Sequence, residues 1–298
     1  MQVDPYCRPA GENPVNRNIF KARDYQLPIY DKSFVMGILN VTPDSFSDGG
    51  RYLSVEAAVN HARQMVEDGA DMIDVGGEST RPGHTPVDAN EETARIIPVI
   101  RALRQAISVP ISVDTWKADV ACAAVEAGAS IINDIWGCRR DPEIASVAAK
   151  TGAGLIVMFN AFDSDFFQKS GDIIADAVGY LSESIRIARK AGVRDDQLMT
   201  DPGIGFGMST GESLALIRAI PSLRGLGFPV LIGPSRKRFI GAVLDQPVEN
   251  RLIGTIAACC AGVCRGANAV RVHDVAEVAA ALKMTDAINN ISTLEEIK

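Results

Sequence analysis

The chain has 298 residues, of which 47% are hydrophobic and 22% are charged. These values are typical of globular proteins, so they exclude a disordered chain and a fibrous protein. The formal net charge of −7 disfavours general binding to nucleic acid or to anionic membranes. An anionic ligand would therefore need basic side chains placed close to it.

The six cysteines include no Cys-x-x-Cys pair, so they indicate neither a disulfide framework nor a zinc site. Residues 1–30 contain no apolar stretch of the signal-peptide type. The longest weakly polar run, residues 252–264, is interrupted by Gly254, Thr255 and Gly262. We expect reduced thiols and a cytoplasmic protein.

Short apolar runs recur along the chain and indicate buried parallel strands. In chain order they are residues 35–39, 72–73, 111–113, 131–132, 155–157, 198–199, 230–232 and 269–270. Four runs closely follow a Gly-Ala pair, whose glycines are Gly69, Gly128, Gly152 and Gly266. Because glycine suits the left-handed residue that ends a helix, each pair is predicted to join a helix to the next strand.

Helices are predicted between these strands, and the first is the clearest. Ser54 can cap it, and apolar residues keep helical spacing from Val55 to Val66 before Gly69 ends it. Seven steps from Asn40 to His273 average about 33 residues, the length of one βα unit.

Eight such units without a break predict an α/β protein in which residues 34–298 form a single (β/α)₈ TIM barrel. An open doubly wound sheet is the alternative. Residues 1–33 are predicted to be a short N-terminal extension that covers the bottom of the barrel and carries no chemistry.

Polar side chains follow nearly every predicted strand. They are Asn40, Asp74, Asp114, Asn133 with Asp134, Asn160, Asp201, Ser235 with Lys237, and Arg271 with His273. The carboxyl ends of barrel strands form one mouth, where polar residues indicate catalysis. Helix capping explains such residues singly, but not at all eight strand ends together.

Two loops extend from this predicted mouth. Residues 40–50 are polar and rich in turn formers, yet Phe46 lies in their middle, which is typical of a lid that closes on a ligand. Residues 76–83 begin with paired glycines, which let the backbone approach a ligand, and contain Arg81, which can meet an anion. Taken singly, each loop is equally compatible with a structural turn.

Together the loops carry the signature of a known family. The sequences MGILNVTPDSFSDGG at residues 36–50 and GGESTRPG at residues 76–83 closely resemble the dihydropteroate synthases of folate biosynthesis. The resemblance spans about residues 34–290. It continues at residues 111–115, 132–135, 201–207, 235–237 and 270–275.

The resemblance implies condensation of p-aminobenzoate with 6-hydroxymethyl-7,8-dihydropterin pyrophosphate, giving 7,8-dihydropteroate and pyrophosphate. It also implies the barrel fold, magnesium and a homodimer. By motif position, the expected pterin-binding residues are Asp114, Asn133, Met158, Asp201 and Lys237. The expected pyrophosphate-binding residues are Asn40, Thr80, Arg271 and His273, with Asn40 also ligating Mg²⁺. Arg81, Pro82, Phe206, Ser235 and Lys237 would frame p-aminobenzoate, and Asp114, Asp201, Lys237 and Arg271 would be catalytic.

The chemistry of the side chains agrees with these roles. A pterin edge presents adjacent N–H donors, which the Asp201 carboxylate can accept in pairs. Asp114 can stabilise positive charge on the departing methylene, and Arg271 can neutralise the anionic leaving group. Because an arylamine is already a nucleophile, we expect a dissociative displacement without a covalent intermediate. Alternatively, Arg271 could simply pair with a neighbouring carboxylate.

The chain departs from the family pattern at three positions. Phe159 stands where the family usually has histidine, and Pro234 and Arg238 replace commoner small residues. These changes bear on the affinity for p-aminobenzoate and for its sulfonamide mimics. The rival predictions are a methyltetrahydrofolate-binding methyltransferase, which handles no pyrophosphate, and a non-catalytic pterin-binding paralogue.

Overall fold

A computed structural model describes residues 19–41, 50–78 and 87–289. The described chain opens with an antiparallel hairpin of β1 (Phe20–Ala22) and β2 (Tyr25–Leu27). Eight parallel strands follow. They are β3 (Phe34–Asn40), β4 (Met72–Gly76), β5 (Ile111–Asp114), β6 (Ile131–Asp134), β7 (Gly154–Met158), β8 (Leu198–Asp201), β9 (Leu231–Ile232) and β10 (Ala269–Val272).

Each parallel strand is followed by one or two helices. These are α1 (Gly50–Glu67), α2 (Ala89–Ala106), α3 (Ala118–Ala127), α4 (Glu143–Thr151), α5 (Ile173–Ala191), α6 (Thr210–Arg218), α7 (Ile220–Arg224), α8 (Arg238–Leu244), α9 (Leu252–Cys264) and α10 (Val275–Asn289). Within the described ranges, no helix is long and apolar enough to cross a membrane.

The eight parallel strands close into a barrel, which confirms the predicted fold. Consecutive strands pair along the series from β3 to β8. On its other side β3 pairs with β10, and β10 pairs with β9. The ring closes between β8 and the residues before β9, where Thr200 bridges Val230 and the Thr200 N–H donates to the Pro229 carbonyl at 2.9 Å. The carboxyl ends of all eight strands therefore face the same mouth.

The predicted joints between helix and strand are also confirmed. Gly69, Gly128, Gly152 and Gly266 all have positive φ, from 74° at Gly152 to 127° at Gly128. The Gly128 N–H donates to the carbonyls of Ala124 and Val125, which closes the end of α3. A side chain at these positions would strain the left-handed backbone.

The predicted start of the first helix is wrong. Helix α1 begins at Gly50, so Ser54 lies inside it rather than capping it. No proline or glycine interrupts residues 51–54, and nothing in that stretch prevents the helical backbone from continuing toward Gly50.

The hairpin lies against the amino-terminal end of the barrel. Its Phe20 is buried, and a Cβ on Gly154 would lie only 2.6 Å from the Phe20 ring. The hairpin packs on an apolar floor inside the barrel, formed by Met36, Met72, Ile131, Ile156, Met199, Leu231 and Ala269. The division of the chain at residue 33 stays a prediction, and residues 1–18 lie outside the described ranges.

We expect Phe20→Ala to lower the free energy of unfolding by about 3–5 kcal/mol, because it leaves a cavity between hairpin and barrel. The matched control is Phe162→Ala, at a ring that is 50% exposed, which should change it by less than about 0.5 kcal/mol. Urea denaturation measures both. Equal effects of the two substitutions would contradict this view of the hairpin.

Candidate active site

The mouth of the barrel gathers side chains from strands that are far apart in sequence. Arg271 on β10 lies between Asp74 on β4 and Asp114 on β5. Its Nε donates to Asp74 Oδ2 at 2.6 Å, and its Nη2 donates to Asp114 Oδ2 at 2.7 Å. Asn133 on β6 donates from Nδ2 to the same Asp74 oxygen at 3.1 Å. One network thus joins four strands of the barrel.

Burial sets the electrostatics of this network. Burial raises the pKa of Asp114, the Arg271 guanidinium opposes that rise, and the carboxylates of Asp74, Glu92 and Asp134 add to it. The predicted alternative for Arg271, an ion pair with neighbouring carboxylates, therefore exists in the structure. It is compatible with a role in binding, because the paired groups lie at the mouth.

A second pair of opposite charges stands across the mouth. Burial raises the pKa of Asp201 to about 6, and the nearby Lys237 ammonium, the Gly203 N–H and Arg271 oppose the rise. Burial likewise lowers the pKa of Lys237 to about 8, opposed by Asp201. Lys237 Nζ donates to the Ile204 carbonyl and lies 4.3 Å from the centre of the Phe206 ring. Lys237, Asp201 and Phe206 thus come together as expected.

The turn after β8 has almost no room for side chains at two glycines. Gly203 has a φ of 63°, and a Cβ there would lie 1.8 Å from the Phe159 carbonyl oxygen. Gly207 has a φ of 66°, and a Cβ there would lie 2.5 Å from the Ala161 carbonyl carbon. Both glycines press the turn against the loop after β7, which places Phe206 beside Lys237.

The side chain of Ser235 lies beside His273. Its Oγ is 2.9 Å from His273 Nδ1 and accepts from the His273 N–H at 3.2 Å. The neighbouring Arg236 points to Asp274, to which its Nε donates at 2.9 Å. The structure thus joins a residue expected at p-aminobenzoate to one expected at pyrophosphate.

Of the remaining predicted site residues, Met158 and Asn40 lie at strand ends and three are not described. Met158 is buried at the end of β7, in register with Asp201. Asn40 ends β3. Its Oδ1 and Asp114 Oδ2 both lie close to Gly76: a Cβ added to this glycine would be 3.9 Å from the Asn40 oxygen and 3.7 Å from the Asp114 oxygen. Thr80, Arg81 and Pro82 lie outside the described residues, as do residues 42–49 of the first loop.

The three departures from the family pattern make no hydrogen bond to the network among the described residues. Phe159 is buried against Phe167 and Tyr180, each 5.2 Å away between ring centres. It therefore packs between the barrel and α5. Pro234 is buried, and Arg238 is exposed at the start of α8. Two other strand-end residues support loops: Asp134 accepts from the N–H groups of Trp136 and Cys138, and Asn160 Oδ1 accepts from the Phe162 N–H.

Sequence reasoning assigned no role to several buried charges. Its position identifies Asp74 only as a strand-end residue, although a carboxylate within the apolar run of β4 is itself a signal of a buried polar role. Lys117 Nζ donates to Glu78 Oε2 and Glu92 Oε2, both at 2.5 Å. Arg95 also donates to the Gly77 carbonyl at 2.9 Å. These bonds tie the end of β4 to α2 and to the segment after β5.

The fold and this site define a (β/α)₈ barrel protein with a charged ligand site at the carboxyl ends of its strands. The profile of the family described as pterin binding enzyme matches residues 36–273. The dihydropteroate synthase of Bacillus subtilis is 51% identical over 260 residues, which cover 87% of this chain and 90% of that protein.

Solved structures agree with this sequence similarity. A dihydropteroate synthase from Clostridium difficile, determined in the presence of pteroic acid, is 46% identical with a TM-score of 0.83, covering 87% of this chain and 97% of that chain. The Xanthomonas albilineans enzyme with 4-aminobenzoic acid is 42% identical with a TM-score of 0.84, covering 91% and 98%. This chain belongs to the pterin-binding enzyme family and, within it, to the dihydropteroate synthases.

We expect the affinity for a pterin without a diphosphate group to rise as the pH increases through about 6, because Asp201 must be ionised to accept paired N–H donors. The affinity should fall again above about pH 8, where Lys237 loses its proton. Asp201→Asn should abolish the acidic limb and weaken binding about tenfold or more. Titration calorimetry across this range measures the effect, and normal binding by the variant would show that Asp201 does not hold the pterin.

Proposed function

We propose that this chain catalyses the dihydropteroate synthase reaction. The arylamine nitrogen of p-aminobenzoate forms a bond to the methylene carbon of the dihydropterin, and the carbon–oxygen bond to the diphosphate breaks. Pyrophosphate leaves with the bonding electrons, and the nitrogen loses a proton. The observation that carries the proposal is the convergence of Asp114, Asp201, Lys237 and Arg271 at one mouth, in a chain so similar to known synthases.

The pterin is proposed to bind inside the barrel mouth. Asp201 and Asn133 are buried and can meet the polar edge of the ring, while Met158 offers an apolar contact. Lys237 donates from the side of the β9 loop. Asp114 lies where its negative charge can stabilise the positive charge that develops on the methylene carbon.

The departing diphosphate is proposed to meet the basic side of the mouth. Arg271 and His273 both lie at the end of β10, and His273 is exposed where an anion can reach it. A fixed cation there, the Arg271 guanidinium, stabilises charge on the leaving group without reorganisation during the reaction. Thr80 is proposed to add a hydroxyl contact. This arrangement favours a dissociative displacement in which positioning and electrostatics set the rate.

The p-aminobenzoate site is proposed to lie above the pterin, between the β8 turn and the β9 loop. Phe206 is partly exposed beside Lys237, so its ring can pack on the aromatic substrate. Ser235, Arg81 and Pro82 complete the proposed site, with Arg81 meeting the carboxylate. A neutral arylamine held in this position needs no general base to become nucleophilic.

Magnesium is proposed to bind through the Asn40 side-chain oxygen. No group of three or more His, Cys, Asp and Glu side chains in the described ranges could hold a metal ion. One amide oxygen fits Mg²⁺ well, since Mg²⁺ keeps several waters and is commonly completed by substrate phosphates. Magnesium supplies positive charge to the diphosphate when bound. Asn40→Ala should therefore raise the magnesium concentration needed for half-maximal turnover.

Release of pyrophosphate by the purified protein, supplied with both substrates, tests the proposed reaction. A synthase releases one pyrophosphate for each dihydropteroate formed. A methyltransferase that binds a folate, or a non-catalytic pterin-binding paralogue, would release none. The absence of pyrophosphate release with correctly folded protein would overturn the proposal.

We expect Lys237→Met to lose pterin affinity and turnover together, because it keeps most of the apolar stem but removes the charge and all three donors. Arg236→Met is the internal control, since the Arg236 side chain pairs with Asp274 instead of facing the mouth. Steady-state kinetics and thermal melting compare the two variants. Near-native turnover of Lys237→Met, or a loss explained wholly by unfolding, would remove Lys237 from the catalytic set.

A homodimer in the cytoplasm is also proposed. Helices α8 and α9 and the segment between them expose four apolar side chains, Val243, Leu244, Val248 and Ile253, and Ile253 is 79% exposed. Such a cluster fits a surface that a second copy covers. Light scattering should give twice the 31.8 kDa of one chain; a single-chain mass at micromolar concentration would contradict the dimer.

Free thiols such as Cys122 and Cys260 fit a reducing compartment, which cell fractionation checks.

A further inference from the structure

We propose that Asp74 is a positioning residue, which keeps the Arg271 guanidinium shared between two carboxylates and fixes the orientation of the Asn133 amide. This inference rests on the proposed function. Asp74 sits below the groups that face the ligand and acts through them.

The depth of Asp74 separates it from the substrate. It lies two residues before the end of β4 and is in register with Ser112, whereas Asp114 is in register with Gly76 at the strand end. Asp74 is fully buried. Its carboxylate is therefore one layer deeper in the barrel than the Asp114 carboxylate, which shields it from any molecule bound at the mouth.

Asp74 determines how Arg271 meets Asp114. The Nε and Nη2 groups form one edge of a guanidinium, and a lone carboxylate commonly takes both of them as a bidentate pair. Here Asp74 Oδ2 takes Nε at 2.6 Å, so Asp114 receives only Nη2 through its Oδ2, at 2.7 Å. Among the described residues, neither Arg271 Nη1 nor Asp114 Oδ1 makes a hydrogen bond. With respect to residues 19–41, 50–78 and 87–289, a donor and an acceptor therefore stay available.

Asp74 also sets the polarity of Asn133. The Asn133 Nδ2 group donates to Asp74 Oδ2 at 3.1 Å. A carboxylate can only accept in this position, so the amide must turn its nitrogen toward Asp74 and its oxygen away. The Asn133 oxygen is then the atom that can accept from a pterin N–H group. One buried carboxylate thus prepares a donor on β10 and an acceptor on β6.

The substitution that isolates this role is Asp74→Asn. An asparagine fills the same space and its oxygen can still accept from Asn133, but the negative charge that competes with Asp114 for Arg271 Nε is lost. Arg271 is then expected to close on Asp114 as a two-point pair. We expect kcat/KM for the dihydropterin pyrophosphate to fall about ten- to hundredfold, with the KM for p-aminobenzoate changed less than about twofold.

The matched control is Asp163→Asn. Asp163 is also fully buried, and its Oδ2 accepts from the Tyr180 hydroxyl at 2.8 Å, which an asparagine oxygen can still do. It lies on the loop after β7 and does not contact Arg271. We expect its kinetic constants to stay within about twofold of the original chain. A general cost of neutralising a buried carboxylate would appear equally in both variants.

A second measurement tests whether Asp74 acts through Arg271. Binding of magnesium pyrophosphate is compared by calorimetry in Asp74→Asn, in Arg271→Met and in the double variant. If Asp74 acts through Arg271, the two losses of affinity are not additive, and adding Asp74→Asn to Arg271→Met weakens binding no further. The double variant should also melt at a higher temperature than Arg271→Met, because it leaves only the Asp114 carboxylate without its cation, whereas Arg271→Met leaves the carboxylates of both Asp74 and Asp114 unpaired.

The outcomes separate this inference from the proposed function. If the original chain releases pyrophosphate but Asp74→Asn has unchanged kinetics, the role of Asp74 is overturned and the proposed function stands. Additive losses of affinity in the double variant would lead to the same conclusion. An original chain that releases no pyrophosphate would overturn the proposed function, and the calorimetric and melting cycle would still decide whether Asp74 acts through Arg271. If Asp74→Asn does not fold, the smaller neutral Asp74→Ser takes its place. Failure of both to fold would show a purely structural role.

Discussion

The Arg271 guanidinium inside the barrel, held between Asp74 and Asp114, is the interaction on which the rest of the mouth depends. Buried charges are tolerated only when they are paired and hydrogen bonded. This constraint links β4, β5, β6 and β10, because each must end at the right height for its side chain to join the network. The barrel closure therefore supplies more than a scaffold. It brings charges together that no single βα unit could stabilise.

The interior of the barrel is divided into two layers with different chemistry. The floor is apolar and is closed from below by Phe20 and the hairpin, so water is excluded beneath the network. The upper layer is polar and opens to the mouth. Burial of the two groups moves the pKa values of Asp201 and Lys237 toward each other. The two layers account for a site that is both charged and buried.

Sequence patterns were enough to predict the strands, the Gly-Ala joints and most of the side chains that meet at the mouth. They carried this information because buried parallel strands read as apolar runs, and because the left-handed joints require glycine. The start of α1 was missed because helix ends depend on local energies that differ by little between Gly50 and Ser54. Two features were not predictable from the sequence: the packing of the Phe159 ring against α5, and the hydrogen bonds from Arg271 and Asn133 to Asp74. Both depend on contacts between elements that are distant in sequence.

The turn from Gly203 to Gly207 limits which substitutions the mouth can accept. Two of its three glycines, Gly203 and Gly207, cannot gain a side chain without displacing the backbone of the neighbouring loop, which lies 1.8 Å and 2.5 Å from the Cβ positions. Substitutions near this edge are therefore tolerated best where the side chain has room, as at the partly exposed Phe206 and the exposed Arg238. Substitutions at such positions can alter the entrance one side chain at a time while the backbone of the turn stays the same.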